Sequence, residues 1–213
     1  MTLQQASTIL VTGGAGYIGS HACVALLDAG YQVIVLDNFS NSSPHVFDAV
    51  TRITGKSVTV IEGDLRQRAE LDDLLAQYSI DAVMHFAGLK AVGESCQQPL
   101  LYHDNNVLGS INLFNAMQQA NVQRLIFSSS ATVYGFPDHM PIREDAALSP
   151  YNPYGTSKLI VENILRDMCR SGANTPWQVA LLRYFNPIGA HCSGLIGENP
   201  NGIPNNLLPF VTQ

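Results

Sequence analysis

Short apolar runs alternate along the chain with longer segments in which apolar residues recur every three or four positions. The runs predict six β-strands, at 9–11, 32–36, 57–61, 81–86, 124–128 and 177–182. The segments between them have helical periodicity. One long helix is predicted between the fourth and fifth strands, with a shared side formed by Leu100, Val107, Ile111 and Phe114. This alternation predicts an α/β fold, a doubly wound parallel sheet with helices on both faces.

The first strand leads into a glycine-rich turn. Gly13, Gly16 and Gly19 form the pattern G-x-x-G-x-x-G, and a helical pattern follows that ends at Gly30. A strand, a glycine turn and a helix N-terminus make an anion site, because free N–H groups and the positive end of the helix dipole face the bound anion. Glycines also allow a tight turn and close approach of a phosphate. The turn therefore predicts a site for the pyrophosphate of a dinucleotide.

Asp37 ends the second predicted strand, eighteen residues after Gly19. This is close to the spacing at which a carboxylate binds the ribose hydroxyls of a dinucleotide. The charge of Asp37 would repel a 2′-phosphate, so the sequence favours NAD over NADP. The alternative is an ordinary strand that ends in a solvated aspartate.

Composition and charge narrow the class of protein. Hydrophobic residues make up 46% of the chain and charged residues 13%, which is typical of a globular protein with a sizeable core. The net charge of −6 argues against a nucleic-acid surface, which needs clustered Lys and Arg. The four cysteines and six histidines lack metal-ligand spacing, so we expect no metal site and free thiols in the cytoplasm. We expect no membrane segment, because no apolar run approaches the length of a span.

Polar or glycine-containing segments follow the last four predicted strands. In a parallel sheet the carboxyl ends of the strands meet at one edge, so we expect these segments to converge on one site. The alternative for each segment is an ordinary loop. The segments are 64–65, 86–90, 128–132 and 184–186.

Tyr154 and Lys158 lie four residues apart on a predicted helix at about 154–170 and therefore share a face. Val161 and Leu165 fall on nearly the same side, which places the pair on the buried stripe, where a lysine is costly. An ammonium about 4 Å away, aided by an oxidised nicotinamide, would supply the roughly 4 kcal/mol that holds a tyrosine as phenolate. A phenolate can take a proton from a sugar hydroxyl while hydride leaves the adjacent carbon. The alternative is a core tyrosine beside a snorkelling lysine.

The end of the fifth predicted strand adds hydroxyl groups to this chemistry. Ser130 or Thr132 is expected to hydrogen-bond the reacting oxygen, and the alternative is that either side chain only caps the strand end. Together with the glycine turn, Asp37, Tyr154 and Lys158, Ser130 resembles the pattern of the extended short-chain dehydrogenase/reductase superfamily. Longer stretches resemble the UDP-glucose 4-epimerase family within it, at 86–95, 128–135, 182–187 and 202–207.

This resemblance implies a fold, a domain division and an activity. The fold is a Rossmann-like NAD-binding domain at 1–183, followed at 184–213 by the beginning of a smaller substrate-binding domain. The activity is an isomerase reaction of galactose metabolism that interconverts UDP-glucose and UDP-galactose. NAD would take hydride from C4 of the hexose while Tyr154 takes the O4 proton, and hydride would return to the other face of the 4-keto sugar.

The resemblance also implies which partners to expect. The family's chains are considerably longer, so we expect this chain to lack the C-terminal part that carries most of the uridine pocket, or to obtain that part from a partner chain. The expected ligands are NAD and a UDP-sugar, and neither nucleic acid nor membrane is expected. A homodimer is compatible with the resemblance, and the sequence leaves the oligomeric state open.

Individual residues receive roles by the same resemblance. The expected catalytic residues are Tyr154, Lys158, Ser130 and Thr132. The expected NAD contacts are Gly13, Gly16, Tyr17, Ile18, Gly19, Asp37, Asn38, Phe39, Ser40, Asn41, Ser42, Asp64, Leu65, Phe86, Ala87, Gly88, Leu89, Lys90, Asn105, Ser130, Tyr154, Lys158 and Phe185. The expected contacts with the nucleotide-sugar are Lys90, Ser130, Tyr154, Asn186, Asn205, Asn206 and Leu207.

Two other functions are compatible with parts of the sequence. A nucleotide-sugar 4,6-dehydratase needs an acid and a base to eliminate water. Related dehydratases carry an Asp-Glu pair where this chain has Ala131 and Thr132, which argues against that activity. A non-catalytic NAD-binding module would keep the glycine turn, but it has no need for an inward pair such as Tyr154 and Lys158.

Overall fold

A computed structural model describes residues 6–171, 176–201 and 210–211. The described strands form one six-stranded sheet in the order β3-β2-β1-β4-β5-β6, and every neighbouring pair is parallel. The strands are β1 (Thr8–Thr12), β2 (Gln32–Asp37), β3 (Thr59–Glu62), β4 (Ala82–His85), β5 (Arg124–Ser130) and β6 (Gln178–Tyr184). Their bounds lie within two residues of the predicted ones, and the predicted α/β fold is confirmed.

Helices cover both faces of the sheet. They are α1 (Tyr17–Asp28), α2 (Val46–Thr54), α3 (Arg68–Gln77), α4 (Val92–Gln97), α5 (Pro99–Tyr102), α6 (Gly109–Gln119) and α7 (Pro153–Arg170). One core lies between the sheet and α1 and α2, and it includes Val24 and Phe47. The other lies between the sheet and α3, α6 and α7, and it includes Leu71, Leu113 and Leu165.

The interior strands are buried on both faces. Ile9 and Val11 of β1 belong to the core under α1, whereas Leu10 between them belongs to the opposite core. Successive side chains of a strand point to opposite faces, so a strand covered on both sides must be apolar at every position. This requirement explains why short uninterrupted apolar runs located the strands so closely.

The single long helix predicted between β4 and β5 is wrong. The chain instead forms α4, α5, a π-helical turn (His103–Leu108) and α6. Gln98, which precedes a proline, has φ −128° and ψ 60° and so separates α4 from α5. The π turn then shifts the phase of the residues that follow, because its hydrogen bonds span five residues instead of four. As a result, Leu100 is 82% exposed while Phe114 is buried, and the two do not share a side.

Candidate active site

The glycine turn closes tightly between β1 and α1. Gly13 has a φ of +70°, and a Cβ there would lie 2.5 Å from Ala87 N. A Cβ at Gly19 would lie 2.2 Å from Gly13 O, whereas a Cβ at Gly16 would meet nothing closer than 3.4 Å. Helix α1 begins after Gly16 with no side-chain cap and no acidic residue in its first turn. The first N–H groups of α1 therefore fit an anion such as a pyrophosphate.

Asp37 supports the glycine turn from the next strand. The residue is 8% exposed, so the alternative of a solvated aspartate is wrong. Its Oδ2 accepts a hydrogen bond from Ala15 N at 2.9 Å, and its Oδ1 accepts from Phe39 N at 2.9 Å and from Ser42 Oγ at 3.1 Å. A carboxylate accepts about four hydrogen bonds, so capacity remains for a ribose hydroxyl.

A second carboxylate, Asp64, lies beside the polar loop that follows β2. It accepts hydrogen bonds from Asn38 Nδ2 at 3.1 Å and from Arg66 Nη2 at 2.7 Å. The hydrogen bond from Arg66 holds the pKa of Asp64 well below its usual value, although partial burial opposes this effect. Arg66 also pairs with Asp104 of the π turn at 3.2 Å. These contacts fix the edge of the site to which the family resemblance assigns the adenine.

The loop after β4 is held between the glycine turn and α7. Phe86 N and Ala87 N both donate to Thr12 O at 3.0 Å. The side chain of Asn106 donates to Leu89 O at 2.9 Å and accepts from Leu89 N at 2.8 Å. This loop therefore has a fixed backbone at the carboxyl end of β4.

The π turn decides which of two adjacent asparagines faces this loop. Asn106 is buried and also donates to Ser157 Oγ of α7 at 3.2 Å. Asn105, the residue predicted to contact the cofactor, is half-buried and donates to Asn106 Oδ1 at 3.0 Å. Sequence reasoning missed Asn106, because α-helical spacing does not hold through a π turn and nothing else separates the two neighbours.

Behind this loop, His85 belongs to a buried chain of hydrogen bonds. Its Nδ1 lies 2.7 Å from Thr12 Oγ1, and its Nε2 lies 2.9 Å from Ser110 Oγ. The Ser110 hydroxyl donates to Asn106 O at 2.5 Å, so His85 Nε2 donates to Ser110 and Nδ1 accepts from Thr12. Burial, with a smaller effect from the charge of Lys158, lowers the pKa of His85 to about 3. The ring is therefore neutral, and the one signal in the sequence was a histidine inside an apolar strand.

Tyr154 and Lys158 lie on the buried side of α7. Lys158 is 5% exposed, and its Nζ donates to Ser128 O at 2.8 Å and lies 5.9 Å from the centroid of the Tyr154 ring. Burial lowers the pKa of Lys158 to about 8. Burial raises the pKa of Tyr154, and a hydrogen bond with Ser130 partly offsets that rise.

In the protein chain by itself, Lys158 does not hold the pKa of Tyr154 below its ordinary value; the predicted phenolate, which also requires an oxidised nicotinamide, stays a prediction. The net pKa of Tyr154 lies above its ordinary value. Burial penalises the charged form of both groups, the phenolate and the ammonium. The ammonium of Lys158 is directed at a backbone carbonyl, so it does not offset the cost of a buried phenolate.

The two candidate hydroxyls after β5 take different positions. Ser130 Oγ accepts hydrogen bonds from Thr132 N at 3.2 Å and from Thr132 Oγ1 at 2.9 Å. Ser130 thereby caps the 3₁₀ turn Ala131–Tyr134, and it opposes the effect of burial on the pKa of Tyr154. The expectation that Ser130 or Thr132 hydrogen-bonds the reacting oxygen stays a prediction.

A buried ionic network extends along α7, one turn beyond Lys158. The Glu162 side chain is fully buried and accepts hydrogen bonds from Ser129 Oγ at 2.6 Å, Arg166 Nη2 at 2.6 Å and Arg183 Nη2 at 2.8 Å. Burial raises the pKa of Glu162, but the partners outweigh it, with Arg183 first, and the pKa lies below its ordinary value. Sequence reasoning missed Glu162, although it continues the four-residue spacing of the candidate pair.

The segment that follows β6, residues 185–201, folds back along the carboxyl edge of the sheet, and we call it the strap. Tyr17 Oη donates to Gly189 O at 2.6 Å, and Asn201 N donates to Asn41 Oδ1 at 3.0 Å. Ile196 is buried in the core under α1. The strap therefore contacts both the first turn of α1 and the loop after β2.

Predicted ligand contacts in and near the strap have the following positions. Phe185 and Asn186 are exposed. Lys90 forms an ion pair with Glu198 of the strap at 2.8 Å. The predicted contacts Asn205, Asn206 and Leu207 lie outside the described residues. The other predicted site residues lie at the carboxyl ends of strands, as Asp37 and Ser130 do, on the loops that leave these strands, or on the helical segments that follow the loops.

Neither a metal site nor a membrane-spanning helix is found in the part of the chain that the structure describes. No three His, Cys, Asp or Glu side chains there are placed to hold an ion. No helix among the same residues is long and apolar enough to cross a bilayer. The cysteines are free, and burial raises the pKa of Cys23 to about 12, which keeps it protonated.

Known proteins resemble this chain over nearly its whole length. The sequence profile of the NAD dependent epimerase/dehydratase family matches residues 9–213. The UDP-glucose 4-epimerase of Bacillus subtilis (strain 168) is 58% identical over 205 residues, which is 96% of this chain and 60% of that protein. The UDP-glucose 4-epimerase of Dictyostelium discoideum is 53% identical over 205 residues, 96% of this chain and 59% of its own length.

Solved structures also resemble this chain over nearly its whole length. The UDP-glucose 4-epimerase from Bifidobacterium longum, in complex with NAD+ and UDP, superposes with a TM-score of 0.93 at 52% identity over 96% of this chain and 61% of that chain. The UDP-glucose 4-epimerase from Stenotrophomonas maltophila, with bound NAD and formylated UDP-arabinopyranose, superposes with a TM-score of 0.93 at 51% identity. The match covers 97% of this chain and 61% of that chain. This chain thus spans about 60% of the length of the relatives it matches. The sheet, the glycine turn and the inward-facing pair of Tyr154 and Lys158 agree with this profile match. The chain belongs to the NAD dependent epimerase/dehydratase family.

Proposed function

We propose that this chain carries the cofactor-binding and proton-transfer part of an NAD-dependent UDP-glucose 4-epimerase. The observation that carries the proposal is the meeting of Tyr154, Ser130 and Lys158 at the carboxyl edge of a sheet whose first turn is an open anion site. Identities of 53% and 58% to proteins named UDP-glucose 4-epimerase support the same activity. The substrate would be a UDP-hexose, epimerised at C4.

The residues present fit NAD. The uncapped N-terminus of α1 and the room at Gly16 suit the pyrophosphate. Asp37 retains capacity to accept a hydrogen bond from a ribose hydroxyl, and Asp64 lies at the edge proposed for the adenine. When bound, NAD would supply a hydride acceptor and, in its oxidised form, a positive charge near the phenol of Tyr154.

The proton chemistry follows from the surroundings of Tyr154. Burial keeps its phenol protonated in the chain by itself, so a further positive charge is needed to make it a base near neutral pH. Ser130 favours the phenolate form of Tyr154. Tyr154 Oη would then take the proton of the C4 hydroxyl as C4 loses its hydride. The proton and the hydride would both return after the 4-keto sugar presents its other face, so that the reaction is redox-neutral overall.

We further propose the biological setting that this activity implies. The reaction belongs to galactose metabolism, and the free cysteines support a reducing compartment such as the cytoplasm. We also propose that a domain boundary lies between residues 183 and 184 and that the protein forms a homodimer. Sedimentation of the purified chain, with and without NAD, tests the dimer.

Cofactor choice is tested by calorimetry. We expect the purified 213-residue chain to bind NAD more tightly than NADP, because Asp37 disfavours a 2′-phosphate. Asp37→Ala should narrow this preference, whereas the exposed-site variant Ile188→Ala should leave it unchanged. Equal affinities of the parent chain for the two cofactors would overturn the assignment of Asp37.

The reaction is tested with UDP-galactose. We expect little turnover from this chain alone, because most of the uridine pocket is expected elsewhere and a misplacement of about 1 Å costs about a hundredfold in rate. In a protein with the complete substrate domain, Tyr154→Phe should keep NAD affinity and lower the rate by about 10²- to 10⁴-fold. A 4-keto-6-deoxy product would identify a dehydratase, and NAD binding without turnover in the complete protein would identify a binding module.

A further inference from the structure

Four buried residues form a hydrogen-bonded network that runs from the end of β1 to the π turn, and we call it the His85 network. Thr12 Oγ1 donates to His85 Nδ1 at 2.7 Å, and His85 Nε2 donates to Ser110 Oγ at 2.9 Å. Ser110 Oγ donates in turn to the backbone carbonyl of Asn106 at 2.5 Å. The network therefore leads from a strand, through one imidazole ring, to the backbone of a helix.

The surroundings of the network leave its groups dependent on one another. All four of its residues are at most 4% exposed. The His85 ring has aromatic neighbours, with Phe114 edge-on at 6.2 Å and Phe127 at 5.6 Å between ring centroids. A buried polar group that loses its partner costs free energy, because neither water nor an apolar ring replaces the hydrogen bond well. Removal of one link should therefore disturb the next one.

The last link lies where the π turn passes into α6. Gly109 N donates to Asp104 O, five residues earlier, which is the spacing of a π turn. Ser110 Oγ instead bonds the carbonyl of Asn106, four residues earlier. The hydroxyl thus holds the backbone at the junction between the two spacings. The position of this junction decides whether Asn105 or Asn106 faces the loop after β4.

We propose that His85 is a positioning residue whose bond to Ser110 sets the phase of the π turn. With this phase, the side chain of Asn106, and not that of Asn105, binds both backbone groups of Leu89, at 2.8 and 2.9 Å. A hydroxyl has one proton to donate. Ser110 can hold the Asn106 carbonyl only while it receives its other hydrogen bond from His85 Nε2.

The consequence is that the loop after β4 is held at both ends by the same network. At its start, Phe86 N and Ala87 N donate to the backbone carbonyl of Thr12, whose hydroxyl begins the network. At its end, Leu89 is bound by Asn106. The effect of His85 on this loop is independent of any ligand. Its effect on NAD rests on the proposed function, because the loop is a proposed NAD contact.

The tautomer of His85 is tested in the 213-residue chain by ¹⁵N NMR of the imidazole. We expect the ring to be protonated on Nε2 and bare on Nδ1. A ring protonated on Nδ1 would overturn the proposal, because Ser110 would then have to donate to Nε2 and would have no proton for the Asn106 carbonyl. This measurement needs no substitution, so the proposal stays testable if a variant fails to fold.

The positioning role is tested with Ser110→Ala, which interrupts the network. The matched control is Ser95→Ala, because Ser95 is also buried and also donates to a helical carbonyl, that of Val92 at 2.6 Å. Amide hydrogen exchange is measured for Leu89 and, as a core reference, for Val11. We expect exchange at Leu89 to accelerate about tenfold more than exchange at Val11 in Ser110→Ala, and equally in Ser95→Ala.

The outcomes separate this role from general destabilisation and from the proposed function. Equal acceleration at both amides in Ser110→Ala would show that the network only stabilises the fold, and it would overturn the proposal. Calorimetry should show NAD affinity lowered about fivefold or more in Ser110→Ala and unchanged in Ser95→Ala. Accelerated exchange at Leu89 with unchanged NAD affinity would support the role of His85 and contradict the assignment of this loop to NAD.

Discussion

At the scale of single residues, His85 makes the stability of the chain depend on pH. A histidine in an unfolded chain titrates near 6.5, whereas burial lowers the pKa of His85 to about 3 in the folded state. Below about pH 6.5 the unfolded state therefore binds a proton that the folded state does not. This side chain contributes a stability that is present at neutral pH and decreases as the pH falls from 6.5 toward 3.

We expect His85→Gln to weaken this dependence. Between pH 7 and pH 5, the parent chain should lose about 2 kcal/mol more of its free energy of unfolding than the variant does. Urea unfolding of both proteins at the two pH values measures the difference. Carboxylates and the other histidines titrate alike in both proteins and cancel. Equal losses in the two proteins would mean that His85 is protonated in the folded state.

Residue-scale predictions from the sequence succeeded where spacing decides position. Tyr154 and Lys158 share the buried side of α7, as their four-residue separation required. The pKa of Tyr154 in the chain by itself could not be predicted from the sequence, because it depends on how deeply the phenol is buried and on where the Lys158 ammonium points. Neither quantity is encoded in spacing.

At the scale of elements, α7 meets the end of β5 through three successive helical turns. The pairs are Tyr154 with Ser130, Lys158 with Ser128 and Glu162 with Ser129. Residues four apart lie on one side of a helix, so one buried side carries all three contacts. The contact that lies farthest from the candidate chemistry, at Glu162, belongs to an ionic network with Arg166 and Arg183.

We expect Glu162→Leu to cost about 3–5 kcal/mol of unfolding free energy, because it leaves the guanidinium of Arg183 buried without its carboxylate. Arg183 has a side chain only 13% exposed. The matched control is Arg166→Gln, which removes a partner of Glu162 that is 30% exposed and should cost about 1 kcal/mol or less. Urea unfolding compares the variants. Similar costs for the two substitutions would show that the network contributes no more than a surface ion pair.

A strand or helix could be predicted well when its hydrophobic pattern ran without interruption. The strands agree within two residues, since burial on both faces demands uninterrupted apolar runs such as 9–11. The region between β4 and β5 was not predictable from periodicity, because Pro99 and a π turn change the phase twice within a few residues. The sequence position of Leu100 matches the helical spacing of the apolar residues, but its side chain is exposed.

At the scale of the whole molecule, the strap (185–201) is fixed to the site by polar contacts and one buried side chain. Ile196 is 4% exposed, whereas Ile188 in the same segment is 71% exposed. We expect Ile196→Ala to destabilise the docked strap by about 2–4 kcal/mol and to accelerate proteolytic cleavage within it. Ile188→Ala should leave the cleavage rate unchanged. Cleavage at the parental rate in a folded Ile196→Ala chain would show that the polar contacts alone hold the strap.

The interior position of β1 in the sheet has a consequence for the order of synthesis. β2 and β3 pair on one side of β1, and β4, β5 and β6 add on the other. The first side is complete once Glu62 has been made, and it carries the glycine turn and Asp37. Tyr154 is made about 90 residues later, which takes roughly 5–20 s at typical rates of synthesis. A growing chain therefore contains the residues of the proposed adenosine half of its cofactor site well before it contains the residues proposed to move a proton.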